Sequence, residues 1–144
     1  MTRYKTAKPT GIFRSRFEFR VASELEHSGV PYAYEDHEVR YVQPEAYRRY
    51  TPDFVLPNGI ILEVKGLLTG DDRQKHLWIK DQFPDLDIRF VFMNPSNKIY
   101  KGSKTTYAKW ATTNGFMYCR GPHIPDEWIN EQPVKTPIAK KTKS

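Results

Sequence analysis

Thr51-Pro52-Asp53-Phe54-Val55-Leu56-Pro57-Asn58-Gly59-Ile60-Ile61-Leu62-Glu63-Val64-Lys65-Gly66 carries the strongest local pattern in this 144-residue chain. Two apolar runs flank Pro-Asn-Gly, which is the signature of a β-hairpin. Pro57 has no N–H for the ladder. That favours a three-residue loop, a type I turn followed by Gly59 in the left-handed conformation, over a two-residue Asn-Gly loop. Counting back from a Leu56–Ile60 pair sets Val55 opposite Ile61, Phe54 opposite Leu62 and Asp53 opposite Glu63. Lys65, two residues beyond Glu63, projects to the same side of the strand.

Two carboxylates facing each other across strands repel unless a cation lies between them. Few, hard oxygen ligands are how proteins hold Mg²⁺, which keeps several waters and completes its shell with substrate phosphate. A phosphodiester is therefore the implied substrate: the metal would polarise the phosphoryl group and activate a water, with Lys65 adding positive charge near the nucleophile or the developing negative charge. The plainer account makes Asp53, Glu63 and Lys65 the wet half of an amphipathic hairpin, since Glu-x-Lys occurs by chance in many chains. The aspartate after proline, the hairpin register and the basic arms together favour the metal site.

Working outward, Ser15 and Glu18 have capping-box spacing, and Phe17, Val21, Ala22 and Leu25 recur with helical period, predicting a helix over about 15–28 that stops at Gly29. As the third residue of that box, Glu18 would only satisfy backbone N–H groups. Tyr32 to Val42 predicts one or two strands, whereas residues 43–50 have no clean period and are either a loop or a connector. After the hairpin, Asp71 or Asp72 can cap a second helix with Leu77, Ile79 and Phe83 apolar, ending before Pro84. Ile88 to Met93 is a buried strand, Ser103 to Asn114 a third helix, and Phe116 to Cys119 a short strand. The order α-β-β-β-α-β-α-β, without repeats, predicts an α/β fold around a central sheet.

Composition narrows the partners. The net charge is +6, and Arg3, Lys5, Lys8, Arg14 and Arg16 all precede the first acidic residue, while Lys135, Lys140, Lys141 and Lys143 crowd the other end. Basic arms of this kind suit a polyanion, and the tail cannot bury enough apolar surface to fold alone. With one cysteine, Cys119, the chain forms no internal disulfide, and no run approaches the ~20 apolar residues that span a bilayer. A soluble, intracellular protein without a membrane partner is expected.

Pro52-Asp53, a hairpin, and then Glu63-Val64-Lys65 resemble the PD-(D/E)xK nuclease motif of the restriction-endonuclease-like fold. Phe13-Arg14-Ser15 before Phe17-Glu18, Tyr50-Thr51-Pro52-Asp53-Phe54, Leu56-Pro57-Asn58-Gly59-Ile60, Glu63-Val64-Lys65-Gly66, Asp71-Asp72-Arg73 with Lys75-His76-Leu77, and Tyr100-Lys101-Gly102-Ser103 extend the likeness over nearly the whole chain. In that order and spacing they resemble the phage T7 endonuclease I family of Holliday-junction resolvases. The segment before Phe13 and the stretch Glu45 to Arg49 depart from the family pattern.

The resemblance implies a mixed central β-sheet flanked by helices, in a domain-swapped homodimer. It divides the chain into a basic arm (1–12), one nuclease domain (13–132) with a bridge at about 43–50 between swapped halves, and a basic flexible tail (133–144). It implies catalytic roles for Glu18, Asp53, Glu63 and Lys65, and a metal shell of Asp53, Glu63 and the main-chain carbonyl of Val64. Mg²⁺, replaceable by Mn²⁺, would bind as two ions per site. Each site would take Glu18 from one chain and the hairpin residues from its partner. The implied substrate is branched DNA, above all the four-way junction, cut by paired nicks in the cytoplasm of a phage-infected bacterial host. Candidate DNA contacts are Arg14, Arg16, Arg73, Lys75, His76 and Lys101. For His76, the alternatives are a structural place on its helix, the commoner fate of such a histidine, and a ligand or proton-shuttle role. Rival readings are a nuclease of the same motif acting on duplex DNA, of the transposase-subunit or mismatch-nicking type, and an architectural DNA-binding protein with idle carboxylates.

Overall fold

The structure, a computed structural model, describes residues 12–43, 46–135 and 137–138. The basic arm up to Gly11 and the lysines from Lys140 onward lie outside the described residues.

Local chemistry starts the three longer helices where a hydroxyl can cap them. Helix α1 (Arg16–His27) begins at Ser15, whose Oγ accepts from the Glu18 N–H at 3.0 Å. It buries the predicted stripe of Phe17, Val21, Ala22 and Leu25. Strand β1 (Ala33–Tyr34) follows, then β2 (Val39–Gln43) and β3 (Ala46–Tyr50) as an antiparallel ribbon with Val39 opposite Tyr50. Residues 46–50, expected as loop or connector, are thus a strand. Their order comes from pairing with β2, which alternation along the segment itself does not reveal.

Strands β4 (Phe54–Val55) and β5 (Ile61–Lys65) form the hairpin in the expected register, Phe54 opposite Leu62 and Val55 opposite Ile61. Gly59 has φ 90°, and its N–H bonds to the Leu56 carbonyl at 2.8 Å, so the loop is the three-residue one demanded by Pro57. Helix α2 (Gly70–Gln82) is capped by Thr69, which corrects the expectation of Asp71 or Asp72. Asp72 is the third-residue partner of that capping box, accepting from the Thr69 N–H at 3.1 Å. Strand β6 (Ile88–Phe92), helix α3 (Tyr107–Thr113), strand β7 (Met117–Arg120) and helix α4 (Asp126–Ile129) complete the chain. Helix α3 starts later than predicted, because Thr106 is its cap. The short helix α4 has no period long enough to be seen in sequence.

The main sheet has the order β1-β4-β5-β6-β7, antiparallel through β5 and parallel beyond it. It is a mixed α/β architecture with a core on each face. Leu62 and Val64 pack with α1 residues and Trp128 of α4, while Ile61, Phe90 and Phe92 pack with Ile79 of α2 and Trp110 of α3. Because side chains alternate along β5, Glu63 and Lys65 fall on the α2 side with Ile61. No described helix is long and apolar enough to cross a membrane.

The end of the chain supports the hairpin loop. Asn58 Nδ2 donates to the Trp128 carbonyl at 2.8 Å, and the Val134 N–H donates to the Asn58 carbonyl at 2.8 Å. Ile138 is buried in the second core. The expected tail from residue 133 is therefore anchored through its first apolar residues, and only its polar composition was visible in sequence. A Cβ at Gly59 would overlap Val134 Cγ2. Gly59→Ala should cost about 1–2 kcal/mol for a left-handed backbone and roughly 1–3 kcal/mol more for the forced contact, measured by urea unfolding. Adding Val134→Ala should remove only the second part.

Candidate active site

The hairpin ends where the chemistry begins. Asp53 sits just before β4, and its Oδ2 accepts from the Val64 N–H at 2.9 Å, locking the carboxylate onto the opposite strand. Asp53 and Glu63 are 1% and 2% exposed, and Glu18, reached from α1, is 5% exposed. All three share one buried acidic region, with Lys65 at its edge.

Glu18 is more than a cap. Its Oε1 accepts from the Arg14 N–H and from the Tyr34 hydroxyl, both at 2.8 Å, while Oε2 faces Arg14 Nη2 at 3.3 Å. The same Nη2 lies 2.6 Å from Asp53 Oδ1, and Arg14 Nε lies 2.6 Å from Glu35 Oε2. One ligand oxygen each from Glu18, Glu35 and Asp53 lies within 4.8 Å of the others. Among the described residues this trio could hold a metal, and its donors are the hard oxygens that Mg²⁺ prefers. The guanidinium already seated on it shows that the trio attracts a cation.

Glu63 faces a different set of groups. Tyr50 donates to its Oε2 at 2.6 Å; Lys65 Nζ and His76 Nε2 approach Oε1 at 3.6 and 3.7 Å. The His76 approach is too long for a hydrogen bond. Lys65 Nζ also reaches Asp72 Oδ1 at 3.4 Å, so the capping residue of α2 doubles as a partner of the site lysine.

Burial and neighbouring charges together set the protonation states. Burial first, then the charges of Glu63 and Glu18, push Asp53 well above the usual carboxylate range, against the Val64 N–H and Lys65. Burial would raise Glu63 as well, but His76, Lys65 and the Tyr50 hydroxyl outweigh it and hold the carboxyl at about 2. Desolvation lowers His76, so the imidazole resists charging and Lys65 and Tyr50 are the firmer donors to Glu63. Lys65 itself is raised: burial works against its charge, and Glu63, Asp72 and Asp53 overcome it. Lys65 is thereby a fixed cation, suited to stabilising negative charge and unsuited to taking a proton.

The structure brings Glu18, Asp53, Glu63 and Lys65 together. The candidate DNA contacts fare differently. Arg16 and Lys101 are exposed. Lys75 is half-buried, its Nζ 5.7 Å from the centre of the Tyr50 ring. Arg73 Nη1 donates to the carbonyls of Leu68 and Ile99 at 2.9 and 3.0 Å, so it clamps two loops. His76 has no exposed surface and packs edge-on to Tyr50 and Phe90, which corrects its placement among surface contacts. Sequence reasoning missed Glu35 and Tyr50. Glu35 carries no motif, and its φ of 53°, unusual for a non-glycine residue, has no signal in composition. Tyr50 could have been found from its place beside Thr51-Pro52-Asp53.

Tyr50→Phe leaves a buried carboxylate short of a charge-assisted hydrogen bond and should cost about 1.5–3 kcal/mol at pH 7. Glu63 lies below its unfolded value of 4.5, so its ionised form stabilises the fold above that pH and the contribution is lost as pH falls toward about 2. Urea titrations of both proteins at pH 7 and pH 3 should show the Tyr50→Phe penalty shrinking in acid.

A family model described as phage endonuclease I matches residues 1–144. Endonuclease I of Escherichia phage T7 is 45% identical over 134 residues, covering 93% of this chain and 89% of that protein. Endodeoxyribonuclease 1 of Enterobacteria phage T3 is 46% identical over 132 residues, covering 91% and 86%.

Proposed function

Since this chain belongs to the phage endonuclease I family, we propose that it is a metal-dependent deoxyribonuclease that resolves four-way and other branched DNA junctions by paired nicks. The observation that carries the reading is the convergence of Glu18, Asp53, Glu63 and Lys65 at one end of the β4–β5 hairpin, where Glu18 and Asp53 form with Glu35 a carboxylate trio able to hold a cation. The names of the relatives, an endonuclease and an endodeoxyribonuclease, point to the same chemistry.

The residues fit divalent metal. Asp53, Glu63 and the Val64 carbonyl would hold one ion and Asp53 with Glu18 a second, Mg²⁺ or in its place Mn²⁺. When bound, the metal supplies Lewis-acid polarisation of the phosphoryl oxygen and a more acidic water. The protein's own groups do the rest. Lys65, kept protonated by Glu63 and Asp72, stabilises charge that develops on the phosphate. Tyr50 orients Glu63, and the Val64 N–H orients Asp53. Arg14, Arg16, Lys75, Lys101 and the basic arms would meet phosphates, with recognition resting on branch shape more than on base edges.

We further propose a restriction-endonuclease-like fold and a domain-swapped dimer that opens the β2–β3 ribbon. Exchange of an identical element keeps every contact while moving it between chains. Glu18 lies before the ribbon and Asp53 after it, so the contacts made here within one chain would become composite sites, one for each nicked strand. The place of action would be the cytoplasm of an infected host.

The test is nicking of a synthetic four-way junction beside a linear duplex of equal length, with Mg²⁺ and then with chelator. Cutting confined near the branch and abolished by chelator is expected. Equal cutting of both substrates would favour a duplex nuclease, and tight binding without scission an architectural protein. Glu63→Ala and Lys65→Ala should each lower cleavage by roughly 10²–10³-fold or more while junction binding in gel shift persists. Sedimentation should give a dimer.

A further inference from the structure

Asp53 and Glu18 each have one carboxylate oxygen committed to the protein. Asp53 Oδ2 holds the Val64 N–H, and Glu18 Oε1 holds the Arg14 N–H and the Tyr34 hydroxyl. The oxygens left over for a metal are Asp53 Oδ1 and Glu18 Oε2. Both face the same atom, Arg14 Nη2, at 2.6 and 3.3 Å. Glu35 steadies the other edge of the guanidinium through Nε at 2.6 Å.

We infer that Arg14 is the displaceable counter-ion of this site: it neutralises Asp53 and Glu18 in the metal-free protein and must leave their free oxygens before a divalent ion can take them. The inference rests on the metal-dependent reading above. A guanidinium does not lose its proton under any ordinary condition, so it can only move. Its side chain is 65% exposed, against 1% for that of Asp53, so moving it uncovers little buried surface. Two cations on the same pair of oxygens repel each other in a site of low polarity, which makes their occupancies exclusive. An arriving phosphate could draw Arg14 outward and clear the oxygens, so that DNA and metal would favour each other's binding.

The test is calorimetric titration of Mg²⁺ into the metal-free full chain without DNA. Arg14→Gln should bind Mg²⁺ at least about tenfold more tightly than the natural protein. Arg14→Lys, a point charge that cannot span Asp53, Glu18 and Glu35 together, should fall between them. Arg20→Gln removes the same charge from an exposed position of α1 and should shift affinity less than about twofold. Thermal unfolding without metal checks that each variant is folded, and Arg14→Lys carries the comparison if Arg14→Gln is not. If the natural protein binds and cuts with Mg²⁺ but neither Arg14 variant gains affinity beyond Arg20→Gln, the counter-ion role is overturned and the nuclease reading stands. If no form binds a divalent ion, both fall.

Discussion

Burying Glu18, Asp53 and Glu63 together places a demand on every element around them. Carboxylates taken out of water and set near one another stay ionised only if each finds donors or cations. The fold provides separate donors for each, which suffice for Glu63 and supply only part of what Asp53 needs. Asp53 takes a backbone N–H from the opposite strand, Glu18 takes the hydroxyl of Tyr34 and the Arg14 segment, and Glu63 takes Tyr50 and Lys65. These groups come from the segment before α1, from β1, from the β2–β3 ribbon and from the hairpin, so the acidic region links elements that build both apolar cores.

The division of labour between the carboxylates follows from the same constraint. Glu63, ringed by donors, stays ionised far into acid, whereas Asp53, equally buried and beside other negative charges, gains from any added cation. A site balanced in this way is a receptor for positive charge, and Arg14 meets part of the demand from within. The two cores flanking the sheet supply the rigidity that such an arrangement requires, because β5 is buried on both faces and its side chains have one place to go.

Much of this was legible along the chain. The hairpin register depends on residues a few positions apart and on a proline that excludes the shorter turn, so Asp53, Glu63 and Lys65 could be placed together. The stripe of α1 and its Ser15 cap are likewise local. The segment 46–50 and helix α4 were not legible, since one becomes a strand only through its partner and the other is too short for a period. For His76 the sequence leaves a structural and a phosphate-facing place open, because polar residues on a helix are usually wet; here the ring fills the space behind Glu63, between Tyr50 and Phe90.

By itself the sequence determined the hairpin, the Ser15 cap of α1 and the identity of the charged residues on β5, because those depend on neighbours and on backbone preferences carried by single residues. Only the tertiary structure decided that Glu35 joins Glu18 and Asp53, that Arg14 turns inward to all three, and that Asp72 and Tyr50 serve the site. Arg14 and Asp53 are 39 positions apart and Tyr50 and Glu63 13, and contacts over such separations are fixed by how the sheet and helices pack, which no local pattern records.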